Sequence, residues 1–152
     1  MTNPVSETVA KVLVFNEKSE VLILTLGEHK ERPEKSFKPD LPGGLVDPGE
    51  TELAAVAREL QEETGITAAL PSFRLAYART EFLFYVCTSV TKFLYLLALD
   101  ASPALTLSWE HSGYKWVALA DLMAAIDLRS FYKEAIEYCF AHKLLQESNI
   151  KS

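Results

Sequence analysis

Four glutamates and one arginine in a short stretch of this chain carry its most specific chemistry. Glu50 stands alone after a glycine-rich turn, and Arg58, Glu59, Glu62 and Glu63 follow after a spacer of helical length. Carboxylates grouped in this way suit a divalent cation that keeps part of its water shell and takes phosphate oxygens as further ligands, the usual arrangement for Mg2+. A diphosphate is a clustered anion, and water attacks it poorly unless metal neutralises its oxygens and holds the nucleophile in line. The pattern therefore reads as a site for divalent metal and diphosphate.

A helix must position these groups. Leu53, Val56, Ala57 and Leu60 recur at helical spacing and form one narrow apolar stripe. At about 100° per residue, Glu59, Glu62 and Glu63 fall together on a flank away from that stripe. Like charges at this spacing weaken an isolated helix, and a bridging cation offsets the repulsion. Arg58 precedes Glu62 by one turn and can orient a carboxylate, with Glu50 as its other partner. Pro42-Gly43-Gly44 and Pro48-Gly49 mark a loop before the helix, Thr51 is suited to cap its start, and Gly65 stands where a left-handed C-cap is wanted. The plainer reading is an amphipathic helix with a solvated acidic face. The flanking glycines, in register with Glu50 and Arg58, argue against it.

At every defined position from Gly44 to Ile66 the chain resembles the Nudix box, G-x5-E-x7-R-E-U-x-E-E-x-G-U with U a bulky aliphatic. Leu41-Pro42-Gly43-Gly44 is similar to the family's entry sequence, and Trp116-Val117 with Ala120-Asp121-Leu122 to its late strand and helix. The resemblance implies an α/β fold, an α/β/α sandwich with a mixed β-sheet. It also implies hydrolysis of a nucleoside diphosphate linked to another group, with Mg2+ or Mn2+ held by Glu59, Glu62 and Glu63. Gly43 and Gly44 would let the backbone approach metal or phosphate, which adds Gly44 to the metal set. Lowering the pKa of water by metal leaves a carboxylate to complete its deprotonation. Glu59 is one candidate base. Members also recruit a glutamate outside the box, and Glu110 in Ser108-Trp109-Glu110-His111 is the candidate here, with an ordinary surface carboxylate as the alternative.

The substrate is less sharply drawn. Lys11, Arg32, Lys35, Lys38 and Arg79 could meet terminal phosphates, and Tyr77, Phe82, Phe84 and Tyr85 could stack on a base. Solvated surface charge is the bland reading of each cation, and alternation along a strand makes half of the aromatics core. His111 and Trp116 read as structural. The Ser-Gln-Pro-Trp-type tract of the NADH-cleaving members is absent. Pro71 lies too close to Gly65 for the ADP-ribose group. Glu110-His111 with Tyr114 and Trp116 resembles both small nucleoside-triphosphate hydrolases and diadenosine-polyphosphate hydrolases, and Tyr85 lies near the tyrosine position of the latter. The reading is a MutT-like pyrophosphohydrolase that takes a nucleoside triphosphate to the monophosphate and pyrophosphate. Dinucleoside polyphosphates or ADP-sugars are the alternative substrates. A nucleotide-sensing module is the reading from another class. Such modules typically lose box carboxylates, and this chain keeps them.

The rest of the chain sets bounds. Its 152 residues are expected to form one domain over 1–152, with 49% hydrophobic and 24% charged residues as in ordinary globular proteins. A formal charge of −6 argues against a nucleic-acid polymer as partner, since that needs a basic stripe. It leaves a small nucleotide open, because metal supplies the local positive charge. Cys87 and Cys139 lie far apart and read as core. No signal peptide opens the chain, and the apolar run Phe93 to Leu99 is too short to cross a bilayer. The expectation is a cytoplasmic monomer or homodimer with no membrane partner.

Strands are expected at Val9–Phe15 and Val21–Leu26 as a hairpin, at Phe73–Ala78, Glu81–Cys87 and Thr91–Leu99, and at Tyr114–Val117. Gly27–Asp40 reads as a long loop, Leu119–Leu122 opens a helical stretch, and Phe131–Leu145 is a final amphipathic helix.

Overall fold

The computed structural model describes residues 5–146. Among them seven strands form one mixed sheet: β1 (Val5–Phe15), β2 (Glu20–Leu26), β3 (Pro39–Asp40), β4 (Gly43–Leu45), β5 (Arg74–Leu83), β6 (Thr88–Ala98) and β7 (His111–Ala118). The helices are α1 (Glu52–Thr64), the short α2 (Leu122–Ala125) and α3 (Ser130–Ala141). β1 runs parallel to β6 over its whole length, from Val5 opposite Thr88 to Phe15 opposite Ala98, and every other pairing is antiparallel.

The β1–β2 hairpin is closed only at its base, where Phe15 faces Val21. Beyond that point the two strands part, and the segment from Pro39 to Leu45 fills the gap. β3 pairs with β2 through Leu24 and Asp40, β4 pairs with β1 through Lys11 and Gly43, and the Val12 amide donates to the Pro42 carbonyl at 3.0 Å. The parting of two strands thus seats the glycine loop inside the sheet.

β1 and β2 are apolar at consecutive positions because both their faces are covered. Ala10, Val12, Val14, Leu22 and Leu24 pack with Val56 and Leu60 of α1, while Leu13, Phe15, Val21 and Ile23 pack with Phe131, Tyr132, Ala135 and Ile136 of α3. Strand alternation alone produces this division into two cores.

Most expected elements are present, with three differences. β5 is continuous through Arg79 and Thr80, where two strands were expected, and it ends at Leu83. Phe84–Val86 is a 3-10 turn that leads into Cys87 at φ +50°. The loop after β2 contains a 3-10 turn at Pro33–Lys35 as well as β3. α3 stops at Ala141, so the stretch to Leu145 is turn, although Leu145 still buries its side chain in the α3-side core. Among the described residues, no helix is long and apolar enough to cross a membrane.

Candidate active site

α1 begins and ends as its sequence dictates. The Thr51 hydroxyl accepts from the Ala54 amide at 3.1 Å, and Gly65 closes the helix at φ +78° with its amide donating to the Gln61 carbonyl. Burial of Val56 and Leu60 against the sheet sets the rotation between these caps and carries Glu59 and Glu63 toward β4.

Two glycines on β4 receive them. The Gly43 amide donates to Glu63 Oε2 at 3.1 Å. A Cβ on Gly43 would lie 2.1 Å from the Ala10 carbonyl oxygen, and its φ of +129° already excludes most side chains. A Cβ on Gly44 would meet the Glu59 carboxylate at 2.9 Å. The backbone of β4 and the carboxylates of α1 are therefore in close contact, as the Gly-Gly pair led us to expect.

Arg58 ties the loop to the helix. Its Nε and Nη2 donate to the two oxygens of Glu50 at 2.8 and 2.9 Å, a bidentate pair. Nη1 donates to Glu59 at 3.1 Å and to Glu62 at 3.2 Å, and Nη2 also reaches the Leu45 carbonyl at 3.3 Å. Glu50 Oε1 accepts the Asp47 amide at 3.0 Å as well, so the Asp47–Glu50 turn and the helix share one anchor. The Arg58 hydrogen bonds, with help from the Asp47 amide, depress the Glu50 pKa to about 2.

The three box glutamates differ in setting. Glu62 is mostly exposed and Glu59 mostly covered. Glu63 is 3% exposed, where the helical wheel placed it on an open flank, because the sheet edge at Gly43 rises beside the end of α1. Burial, together with the nearby charges of Asp40 and Glu59, pushes its pKa up to about 8 against the opposing effects of Lys11 and the Gly43 amide. A buried carboxylate held this far above its ordinary value favours a proton or a cation beside it. Among the described residues, no three acidic, histidine or cysteine side chains converge closely enough to cage an ion by themselves.

A second polar cluster lies in the core. Lys11 Nζ donates to Asp40 Oδ1 at 3.2 Å and to the Leu41 carbonyl at 3.0 Å, Tyr132 donates to Asp40 Oδ1 at 3.3 Å, and His111 Nε2 lies 3.3 Å from Asp40 Oδ2. Burial opposes both charges. Even so, Tyr132 and Asp40 hold the Lys11 ammonium above the ordinary lysine range, and Lys11 with His111 holds Asp40 well below the carboxylate range. Lys11, one of the cations considered for phosphate, is thus a buried member of an ion pair.

The remaining candidates lie in other settings. Arg79 pairs with Glu134 at 2.8 Å and Glu81 at 3.5 Å, and Lys38 pairs with Asp127 at 3.4 Å, so the ion pairs of both are with residues outside the box. Glu110 is exposed on the loop before β7, and its carbonyl accepts the Gly27 amide at 2.9 Å. That loop is joined to the end of α1: the Thr106 and Ser108 amides donate to the carbonyls of Thr64 and Glu63 at 3.0 and 3.1 Å. Phe84 and Tyr85 project from the β5–β6 turn, and Tyr77 packs on Phe131 and Tyr138. Sequence reasoning passed over Trp109, which is 91% exposed beside Glu110. The alternation Leu105, Leu107, Trp109 suggests a third inward side chain, and while the two leucines pack on the core, the indole does not.

A mixed sheet that sets an acidic helix against a glycine strand, with one arginine joining helix to loop, defines a class of α/β proteins. The NUDIX domain model matches residues 6–139, and the chain belongs to that family. It is 35% identical over 109 residues to a putative 8-oxo-dGTP diphosphatase of Bacillus subtilis (strain 168), covering 72% of this chain and 64% of that protein. It is 39% identical over 83 residues to an asymmetrical bis(5'-nucleosyl)-tetraphosphatase of Mus musculus, covering 53% of this chain and 55% of that protein. The matched stretches thus span less than two thirds of either relative. Among solved structures, the MutT protein from Methanosarcina mazei Go1 superposes with a TM-score of 0.76 at 28% identity, covering 94% of this chain and 99% of that one. Nudix hydrolases generally use divalent metals.

Proposed function

We propose that this chain hydrolyses a phosphoanhydride bond in a nucleoside diphosphate derivative, most readily a nucleoside triphosphate, to the monophosphate and pyrophosphate. One observation carries the reading. Glu59 and Glu63 press against the Gly43-Gly44 backbone, with Glu63 buried at a raised pKa and Arg58 linking Glu59 and Glu62 to the Glu50 loop.

This donor set fits Mg2+ or Mn2+. Glu59, Glu62 and Glu63 supply hard oxygen ligands, the bare Gly44 backbone lies against the Glu59 carboxylate, and the set is open to water and phosphate rather than a closed cage. The cation, when bound, neutralises phosphate oxygens and makes water more acidic. The chain's own residues do the rest. Arg58 keeps the carboxylates from repelling one another out of position. The glycine strand brings its backbone within reach of a substrate that a side chain would keep away. Water attacks phosphorus, the bond to the bridging oxygen breaks, pyrophosphate departs, and the water's proton passes to a carboxylate. Glu59 and Glu110 are the two candidates for that carboxylate.

The substrate class draws support from the likeness to a putative 8-oxo-dGTP diphosphatase. The second reading, a dinucleoside tetraphosphate, draws on the likeness to the murine tetraphosphatase. The test is a panel of nucleoside triphosphates, dinucleoside polyphosphates and ADP-sugars, incubated with Mg2+ or with EDTA and read by chromatography of products. Monophosphate and pyrophosphate formed only with metal support the first reading, and nucleoside triphosphate released from a dinucleoside tetraphosphate supports the second. No turnover of any member would leave a nucleotide sensor. Titrating Mg2+ against rate separates the bases. Glu110→Gln should lower kcat by roughly ten- to ten-thousandfold with little change in metal dependence, whereas Glu59→Gln should shift that dependence.

A further inference from the structure

Trp109 is held out in solvent by a loop that is not loose. The Thr106 and Ser108 amides fasten the loop to the last turn of α1, the His111 amide donates to the Ser108 carbonyl at 3.2 Å, and the Gly27 amide donates to the Glu110 carbonyl. Exposing an indole on a fixed support forgoes the stabilisation its burial would give, so the position calls for an occupant. Trp109 and Glu110 form one wall of a half-open cavity of about 330 Å3, with Gly27, Glu28, Lys35 and Arg129 among the other walls. That volume lies at the small end of ligand pockets and suits one nucleobase with its ribose.

Placement follows from the chain itself. Ser108 is bonded to Glu63, and Trp109 is the next residue, so its backbone lies within roughly 7 Å of the end of the box helix. A nucleotide whose phosphates reach the carboxylates of α1 can extend its base into this cavity. The lining holds an acceptor, Glu28, and donors, Lys35 and Arg129, as a purine edge with mixed donors and acceptors requires.

We propose that this cavity takes the purine base of the nucleotide, with Trp109 as its stacking platform. The inference rests on the nucleotide reading above but is tested without turnover. AMP, GMP and ribose 5-phosphate are titrated into the full chain in EDTA, following calorimetry and tryptophan emission. AMP or GMP should bind and quench emission, and ribose 5-phosphate should do neither. Trp109→Ala should weaken purine monophosphate binding by roughly 5- to 150-fold, the span of one base–aromatic stack. Trp109→Phe should stay within a few-fold of the parent in affinity, and its residual emission, from Trp116, should no longer be quenched. Parent-like affinity in Trp109→Ala, equal quenching in Trp109→Phe, or equal binding of ribose 5-phosphate overturns the proposal. Monophosphates contain no anhydride, so hydrolysis of the panel can fail while Trp109-dependent binding survives, and the reverse.

Discussion

The chain contains two polar clusters built from the same kinds of residue, and they solve opposite problems. In the core, the buried Lys11, His111 and Tyr132 side chains all converge on the Asp40 carboxylate, and His111 Nδ1 on the far side of the ring is left without a partner. On α1, Arg58 spreads its contacts over Glu50, Glu59, Glu62 and the Leu45 carbonyl, and several of these groups remain open to water. A buried cluster whose charges are paired with one another rigidifies a fold, whereas a cluster with excess negative charge and one side open can exchange partners for a ligand. Charge content alone does not distinguish structure from site. The direction of the unmet demand does, and Glu63 with its pKa near 8 marks where it lies.

The strongest way to break this comparison is at Asp40. Asp40→Ala leaves Lys11 buried without its counter-charge and should destabilise the protein by about 3–5 kcal/mol in urea unfolding. A loss below about 1 kcal/mol would show the core cluster to be dispensable. The α1 cluster should respond in the other currency. Glu62→Gln and Glu63→Gln should each lower kcat on the order of a hundredfold or more, Glu62→Gln unfolding near the parent's midpoint and Glu63→Gln no earlier than the parent. Parent-like turnover in either would remove these residues from the site. Gly44→Ala sharpens the contrast further, since its Cβ would push only on the flexible end of Glu59. Activity should fall by about ten- to a hundredfold, as small misplacements of a reacting group do, with little change in thermal midpoint. Equal loss of both would mean that the glycine is structural.

The smallest effect is one of pH. Glu63 carries a folded pKa near 8 against an ordinary glutamate value of 4.5, so between these values the folded protein binds more protons than the unfolded chain. Stability without metal should therefore decline as pH rises from about 5 to 8. Glu63→Gln should flatten that slope in urea titrations with EDTA. Asp40 acts oppositely: its stabilisation is present above the ordinary aspartate pKa and disappears only in strong acid. An unchanged slope in Glu63→Gln would assign the dependence to other groups.

Local signals were legible in the sequence, and contacts between distant segments were not. Thr51 and Gly65 act on their own neighbours, so the limits of α1 could be read directly. The doubled glycine likewise announced a close approach. What it approached, the Ala10 carbonyl on one side and Glu59 on the other, depends on β1 and α1 meeting in space. Lys11 looked like a free cation because Asp40 is 29 residues away. Glu63 looked exposed because a helical wheel contains no sheet edge. β5 was divided in two because Arg79 and Thr80 interrupt its apolar residues, yet their backbone continues the ladder opposite Lys92 and Thr91. The structural reading of His111 agrees with its burial beside Asp40.

The pairing of β1 bears on how the protein fails when heated. This strand is bonded to β6 along one edge, to β4 and β2 along the other, and is covered on both faces from Ala10 to Phe15. Amides in such a setting exchange with solvent only when the whole domain opens. The glycine strand hangs directly on it, through Ala10 opposite Gly44 and Lys11 opposite Gly43. Deuterium uptake in this segment should therefore be the slowest in the chain. Fraying of the β5–β6 turn or the end of α3 would leave it untouched, so thermal inactivation should track global unfolding and not precede it.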